Sequence, residues 1–133
     1  MEKVLGTFAP QLYALMRLVV GLLFACHGAQ KLFGVLGGQQ FPPLSLMGLA
    51  GVIEFFGGLM IAGGFGAGLV AFIASGEMAA AYFMGHFPKS FWPIVNEGEL
   101  AVFYCFVFLY MASQGSGIWS VDRARGGRRR RRW

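Results

Sequence analysis

Three ionisable residues, Arg17, Glu54 and Glu77, stand inside stretches of otherwise apolar sequence long enough to cross a bilayer. A second group, His27, Lys31, His86, Asn96 and Glu99, falls near the ends of the same stretches. A charge at the centre of a membrane helix costs about 2.5–3.5 kcal/mol, so three left unpaired would cost on the order of 7–10 kcal/mol. Pairing inside a bundle removes most of that cost. Arg17, Glu54 and Glu77 are therefore the first candidates for a catalytic network. Carboxylates held at such depth can store or pass protons, or grip the polar end of a substrate. The plainer account is a buried ion network that fixes helix register. His27, Lys31, His86, Asn96 and Glu99 form a candidate cofactor-binding layer above them, suited to proton exchange with a quinone head group. Two histidines on different helices could also hold haem axially, but no other residue supports that, and haem is disfavoured. No metal-ligand set is legible.

The elements that must position these groups are apolar helices. Of 133 residues, 56% are hydrophobic, 13% are charged and 21 are glycine, a membrane composition. Spans are expected at about 12–33, 44–65, 68–87 and 99–115, the last being the shortest and able to extend towards Trp119. The fold expected is thus all-α, a polytopic membrane four-helix bundle, with one domain over residues 1–122 and an Arg-rich tail over 123–133. Gly34–Pro43 and His86–Asn96 read as loops, and GGFGAG at Gly63–Gly68 as a tight turn.

Seven of the eleven Lys and Arg residues lie in that tail. The rest of the chain sets Lys3, Arg17, Lys31 and Lys89 against six acidic residues, so the basic balance does not point to nucleic acid. It marks a cytoplasmic end that can touch anionic lipid, and four spans then give an N-in/C-in topology. Trp133 would sit among the head groups. No cleavable leader is convincing after Leu18–Ala25, which Arg17 and Lys31 bracket within a longer span. Cys26 and Cys105 form no CxxC, which weakens a dithiol reductase. A disulfide between them is conceivable by depth, but packing is the better account.

Turning each residue by about 100° puts Arg17, His27 and Lys31 on one face of the first span. Glu54 shares its side with Gly51 and Gly58, and Glu77 with Ala74 and Ala81, small residues that let helices approach. Both glutamates come out about 15 Å from the inner boundary. Arg17, slightly deeper, would reach up and hold them ionised. Glu77 and His86 fall about 180° apart on an ideal helix, so either the helix ends before His86 or His86 stays outside the cluster.

RLVVGLLFACHGAQKLFG at Arg17–Gly34, GLAGVIEFFGGLMIAGG at Gly48–Gly64, SGEMAAAYFMGHFPKSFWPIVNEGEL at Ser75–Leu100 and GSGIWSVD at Gly115–Asp122 resemble the DoxX family in order. The resemblance implies a small four-helix protein of the bacterial inner membrane. It further implies a link to thiosulfate:quinone oxidoreductase and to membrane redox complexes that handle sulfur or oxidative stress. By motif position, Arg17, His27, Lys31, Glu54, Glu77, His86, Asn96 and Glu99 carry over. Glu97 stands where similar sequences usually have Gly, and reads as a local variant. The GGFGAG turn lacks the basic residue often found there.

Three functions follow as expectations. The first is a membrane subunit of a quinone- or sulfur-linked redox system with an intramembrane proton relay, taking electrons from a partner protein or bound quinone. The second is a non-enzymatic scaffold or assembly factor for a partner complex. The third is a small-solute or proton pathway, which four helices would need a homo-oligomer to build. Catalysis by the chain alone is disfavoured, because it has no nucleotide motif.

Overall fold

The computed structural model describes residues 1–130. Among them every regular element is helical. A short α1, Glu2–Leu5, and a 3₁₀ turn, Gly6–Phe8, lead into α2, Ala9–Phe33. Its 25 residues, started by Pro10 and ended by Gly34 at φ 64°, span about 37 Å. Then follow α3, Leu46–Gly63, and α4, Ala67–Ala81, the latter extended by a π-helical turn, Tyr82–His86. A short α5, Pro93–Asn96, precedes α6, Glu99–Gln114, and α7, Val121–Arg130. The expected loop before α6 thus contains a helical turn. The position of Trp133 lies outside the described residues.

Three helical stretches, Glu2–Phe33, Leu46–Gly63 and Ala67–His86, are long and apolar enough to cross a membrane. The fourth, α6, is apolar but has 16 residues, about 24 Å. It does not extend towards Trp119. Gly115 at φ 73° and Gly117 at φ 65° turn the chain out of helical geometry, and residues 115–120 run irregularly.

Helices α2 and α3 lie antiparallel in close contact. A Cβ on Gly58 would come 2.5 Å from Gly21 O and from Ala25 N, and one on Gly28 would strike Phe55 N and come 2.7 Å from Gly51 O. Gly21/Gly28 and Gly51/Gly58 are each seven residues apart, so the two glycine rows mesh as one seam. Helices α4 and α6 form the second pair. Phe24 of α2 closes the two pairs together, its ring 4.6 Å from Phe108 and 5.4 Å from Tyr104. Around this centre lie Ile61, Met78, Tyr82 and Met111. Leu22, Phe56, Leu69, Phe72, Phe83, Phe103 and Phe106 stand exposed on the outside. An aromatic and aliphatic exterior of this kind suits a lipid surround, and the chain has the architecture of a polytopic membrane protein.

The turn between α3 and α4 sits at one end of the bundle with α7, here the tail end. Gly64 and Gly66 hold φ of 71° and 58° there, a conformation that glycine adopts without strain. The two long connections, Gly34–Ser45 and Phe87–Gly98, lie at the opposite, loop end.

Candidate functional site

The polar residues separate into two groups. At the tail end, Arg17 donates from Nη1 to the carbonyls of Ser116 and Ile118, the latter at 3.1 Å, and from Nη2 to Trp119 O at 2.8 Å. Tyr13 donates its hydroxyl to Gly115 O at 2.6 Å. The guanidinium is almost wholly buried. Arg17 therefore does not reach the glutamates, contrary to the sequence expectation. It is separated from Lys31 by 14 residues, about 21 Å along α2. The physical reason is the early end of α6 at Gln114, after which the carbonyls of the irregular segment 115–120 need donors. A planar fork of donors meets three carbonyls at once. Arg17→Lys should lose about 2 kcal/mol of stability, because a single ammonium cannot replace that fork; thermal unfolding in mild detergent measures this.

Asp122 secures the same end from outside the membrane-spanning helices. Its Oδ2 accepts from Ser116 Oγ at 2.6 Å and Gly66 N at 2.8 Å, and its own N–H donates to Gly64 O at 3.1 Å. The Ser116 hydroxyl, aided by the Gly66 amide and the Arg125 charge, holds its carboxyl below the usual carboxylate range against the opposing effect of desolvation. A carboxyl depressed on folding contributes stability above its unfolded pKa, and that contribution is lost as pH falls through the native value. Asp122→Asn should accordingly lower the unfolding temperature at pH 7, and the difference from the parent should vanish well below about pH 3.9. Unfolding curves from pH 7 down to pH 2.5 check the sign.

Towards the loop end lies a cavity of about 600 Å³, enclosed by α2, α3, α4, the π turn and α6. His27, Lys31, Glu54, Glu77, His86, Glu97 and Tyr104 line it. Lys31 Nζ donates to Glu54 Oε1 at 2.6 Å and also to Oε2. The side chain of Glu54 is 3% exposed and that of Lys31 19%, so the pair sits at the cavity floor. This is the one salt bridge among the described residues. Glu77 lies beside Glu54, close enough for their carboxyls to interact. Its buried Oε2 has no hydrogen-bond partner. Two carboxyls thus face one ammonium, and the cluster is electrically neutral when the carboxyls share a single proton. The ammonium can stabilise either distribution of that proton.

The histidines join this cavity by different means. On α2, His27 precedes Lys31 by one turn and sets its ring edge-on to Tyr104, 6.0 Å between centroids. On α4, the π turn admits an extra residue, with Phe87 N–H bonding Tyr82 O at 2.9 Å, five residues back. That widened turn rotates His86 towards the side of Glu77, and both line the cavity. An ideal helix would have kept them apart, which is why the sequence left His86 open. Single π turns recur at functional sites. His86 Nδ1 lies 3.0 Å from Asn96 O. A carbonyl can only accept, so the neutral ring carries its proton on Nδ1 and keeps a lone pair on Nε2.

Three sequence assignments change in this geometry. Asn96 is buried within the loop, its amide donating to Tyr82 Oη and Ser90 O and its Oδ1 accepting from Gly98 N. It braces the loop and does not line the cavity. Glu99 opens α6 and is exposed; it stays outside the cavity too. Glu97, read as a local variant, does line it. Glu97 holds φ 61°, a left-handed geometry that costs a non-glycine residue about 1–2 kcal/mol. A glycine would hold the same geometry without that cost. Tyr104 was missed altogether, since one tyrosine in an aromatic helix carries no spacing signal. Both cysteines are free. Cys105 Sγ is 3.5 Å from Ser75 Oγ inside the α4/α6 pair, whereas Cys26 is exposed rather than packed. Among the described residues no three His, Cys, Asp or Glu converge as a metal site.

The architecture and cavity can be set beside known proteins. The DoxX family profile matches residues 12–87, a stretch that holds Arg17, both histidines, Lys31, Glu54 and Glu77. An uncharacterized protein of Haemophilus influenzae is 36% identical over 125 residues, which cover 89% of this chain and 93% of that protein. No solved structure matches. With more than half of the sequence matched, and a relative aligned along nearly its whole length, the chain belongs to the DoxX family.

Proposed function

We propose that this protein is a membrane subunit of a quinone-linked redox system in a bacterial inner membrane, with its cavity holding a quinone head group. The observation that carries this reading is the Lys31–Glu54–Glu77 cluster at the floor of a largely apolar cavity, with one buried glutamate oxygen left without a partner. A quinone head group is flat, neutral and carries two carbonyl oxygens. The space of about 600 Å³ lies within the 300–1,000 Å³ usual for small-ligand sites. Glu77, when it holds the shared proton, can donate it to a carbonyl oxygen, and the Tyr104 hydroxyl can donate to the other, while the His86 Nε2 lone pair can accept from a hydroxyl of the reduced ring. The bound ring would supply two-electron, two-proton chemistry, with electrons delivered by a redox centre on a partner protein. The chain itself would keep the head group oriented, exclude bulk water and exchange protons with the loop end through His27, His86 and Glu97.

The charge pattern favours a neutral ligand over a sulfur oxyanion. Three carboxyls line the cavity, and the single ammonium is already engaged with Glu54. On this reading the Arg-rich tail, 123–133, fixes the tail end in the cytoplasm, residues 1–122 form the four-span unit, and the topology is N-in/C-in. The cavity then lies towards the periplasmic side.

Organic extraction of the purified protein, followed by titration of quinone into nanodiscs, tests the proposal. Glu77→Leu leaves the Lys31–Glu54 pair intact, so it should unfold at nearly the parental temperature. It should nevertheless weaken quinone binding about tenfold, the effect of losing one well-placed hydrogen-bond partner. A parent protein that neither retains nor binds quinone would remove this reading and leave a scaffold for a partner complex.

A further inference from the structure

We infer that the cavity is entered sideways from the bilayer, through a cleft between α3 and α4, and that its ligand keeps a long apolar tail in that cleft. This deepens the quinone reading, on which the identity of the head group rests; the route stands on the shape of the cleft itself. Near the tail end the two helices are tied by the Gly64–Gly66 turn and run close, so that a Cβ on Gly57 would lie 3.3 Å from Val70 Cγ1. Nearer the loop end they part around the cavity, with Ala50 and Ile53 on one wall and Ala81 and Met84 on the other.

The lining changes character along this opening. Its floor is the Lys31–Glu54–Glu77 cluster. Its rim carries Leu46, Leu49, Met84 and Leu100, which are 66%, 49%, 62% and 53% exposed. Four large apolar side chains at a mouth open to water would leave an unfavourable patch, whereas at a mouth open to acyl chains they match the solvent. At the loop end the chain after α4 is held against its own π turn, His86 being tied to Asn96 O and Asn96 in turn to Tyr82 and Ser90. A charged floor beneath an apolar lateral rim fits a ligand with a small polar head and a long hydrocarbon tail. A water-borne solute has no use for that rim.

The route can be read without any quinone. Ile53→Trp, in a Trp92→Phe/Trp119→Phe/Trp133→Phe background, places a fluorophore on the cavity wall, and Ala50→Trp serves if that variant does not fold. In nanodiscs, phosphatidylcholine brominated on its acyl chains should quench this emission more strongly than aqueous acrylamide does. The reverse order would overturn lateral entry. The tail is tested separately with Ala80→Phe, which narrows the cleft away from the charged floor. A benzoquinone with a ten-carbon tail should bind this variant about tenfold more weakly than the parent, through lost apolar burial, while the tail-less ring changes little. Equal losses for both would overturn the tail's place in the cleft. Absence of binding by either quinone to the parent would remove the head-group assignment, and the quenching order would still decide the route.

Discussion

Lys31→Met should cost the folded protein about 3 kcal/mol, and Lys31→Met/Glu54→Gln should recover most of that loss. Removing one partner of a buried ion pair typically costs about 3–5 kcal/mol because the remaining charge is left uncompensated. The lower end applies here, since Lys31 keeps some exposure while Glu54 has almost none. Replacing both partners with neutral groups of similar size removes the stranded charge, and such exchanges are often neutral. The comparison separates folding from function. The double variant should unfold near the parental temperature and still bind quinone, because Glu77, the donor to the head group, stays in place. A double variant as unstable as Lys31→Met would show that the ion pair does not set the stability of this region.

Gly28→Leu and Gly58→Leu should prevent normal assembly of the α2/α3 pair, at a cost above about 4 kcal/mol. At both positions an added Cβ meets backbone of the facing helix, and backbone cannot rotate aside as a side chain can. The helices would have to move apart along the whole seam, separating Lys31 from Glu54 as well. Little monodisperse protein should be recovered in mild detergent. Gly76→Leu supplies the contrast. An added Cβ there meets nothing within 4 Å, and leucine is the better helix former, so that variant should be neutral or slightly stabilising.

Most of the helical architecture was legible because apolar length and glycine turns are local signals. The pairing of Gly51 and Gly58 with the Glu54 face followed from helical spacing, and the glycine seam stands on that face. The partner of Glu54 was harder to read. Depth along a straight helix brought Arg17 nearest to the glutamates, but the early end of α6 created carbonyls that claim Arg17, and no spacing rule announces that end. Lys31 was placed towards the membrane boundary by its Cα, although its four-carbon stem lets the ammonium reach down to Glu54. His86 was obscured by one extra residue in the π turn, which shifts every later side chain around the axis. Glu97 was passed over because its departure from glycine looked incidental. Its left-handed backbone and its place on the cavity wall become evident only in three dimensions.

The Lys31–Glu54 contact also bears on how the chain enters the membrane. Its two members lie on consecutive helices joined by the Gly34–Ser45 connection, within one helical hairpin sealed by glycine. That hairpin can neutralise its own opposite charges as soon as both strands of it have left the ribosome, before α4 is made. Glu77 arrives afterwards, and α4 brings no cation of its own to match it. Biogenesis would therefore run in two stages, with a self-balanced first hairpin acting as the docking partner that allows the later acidic helix to settle.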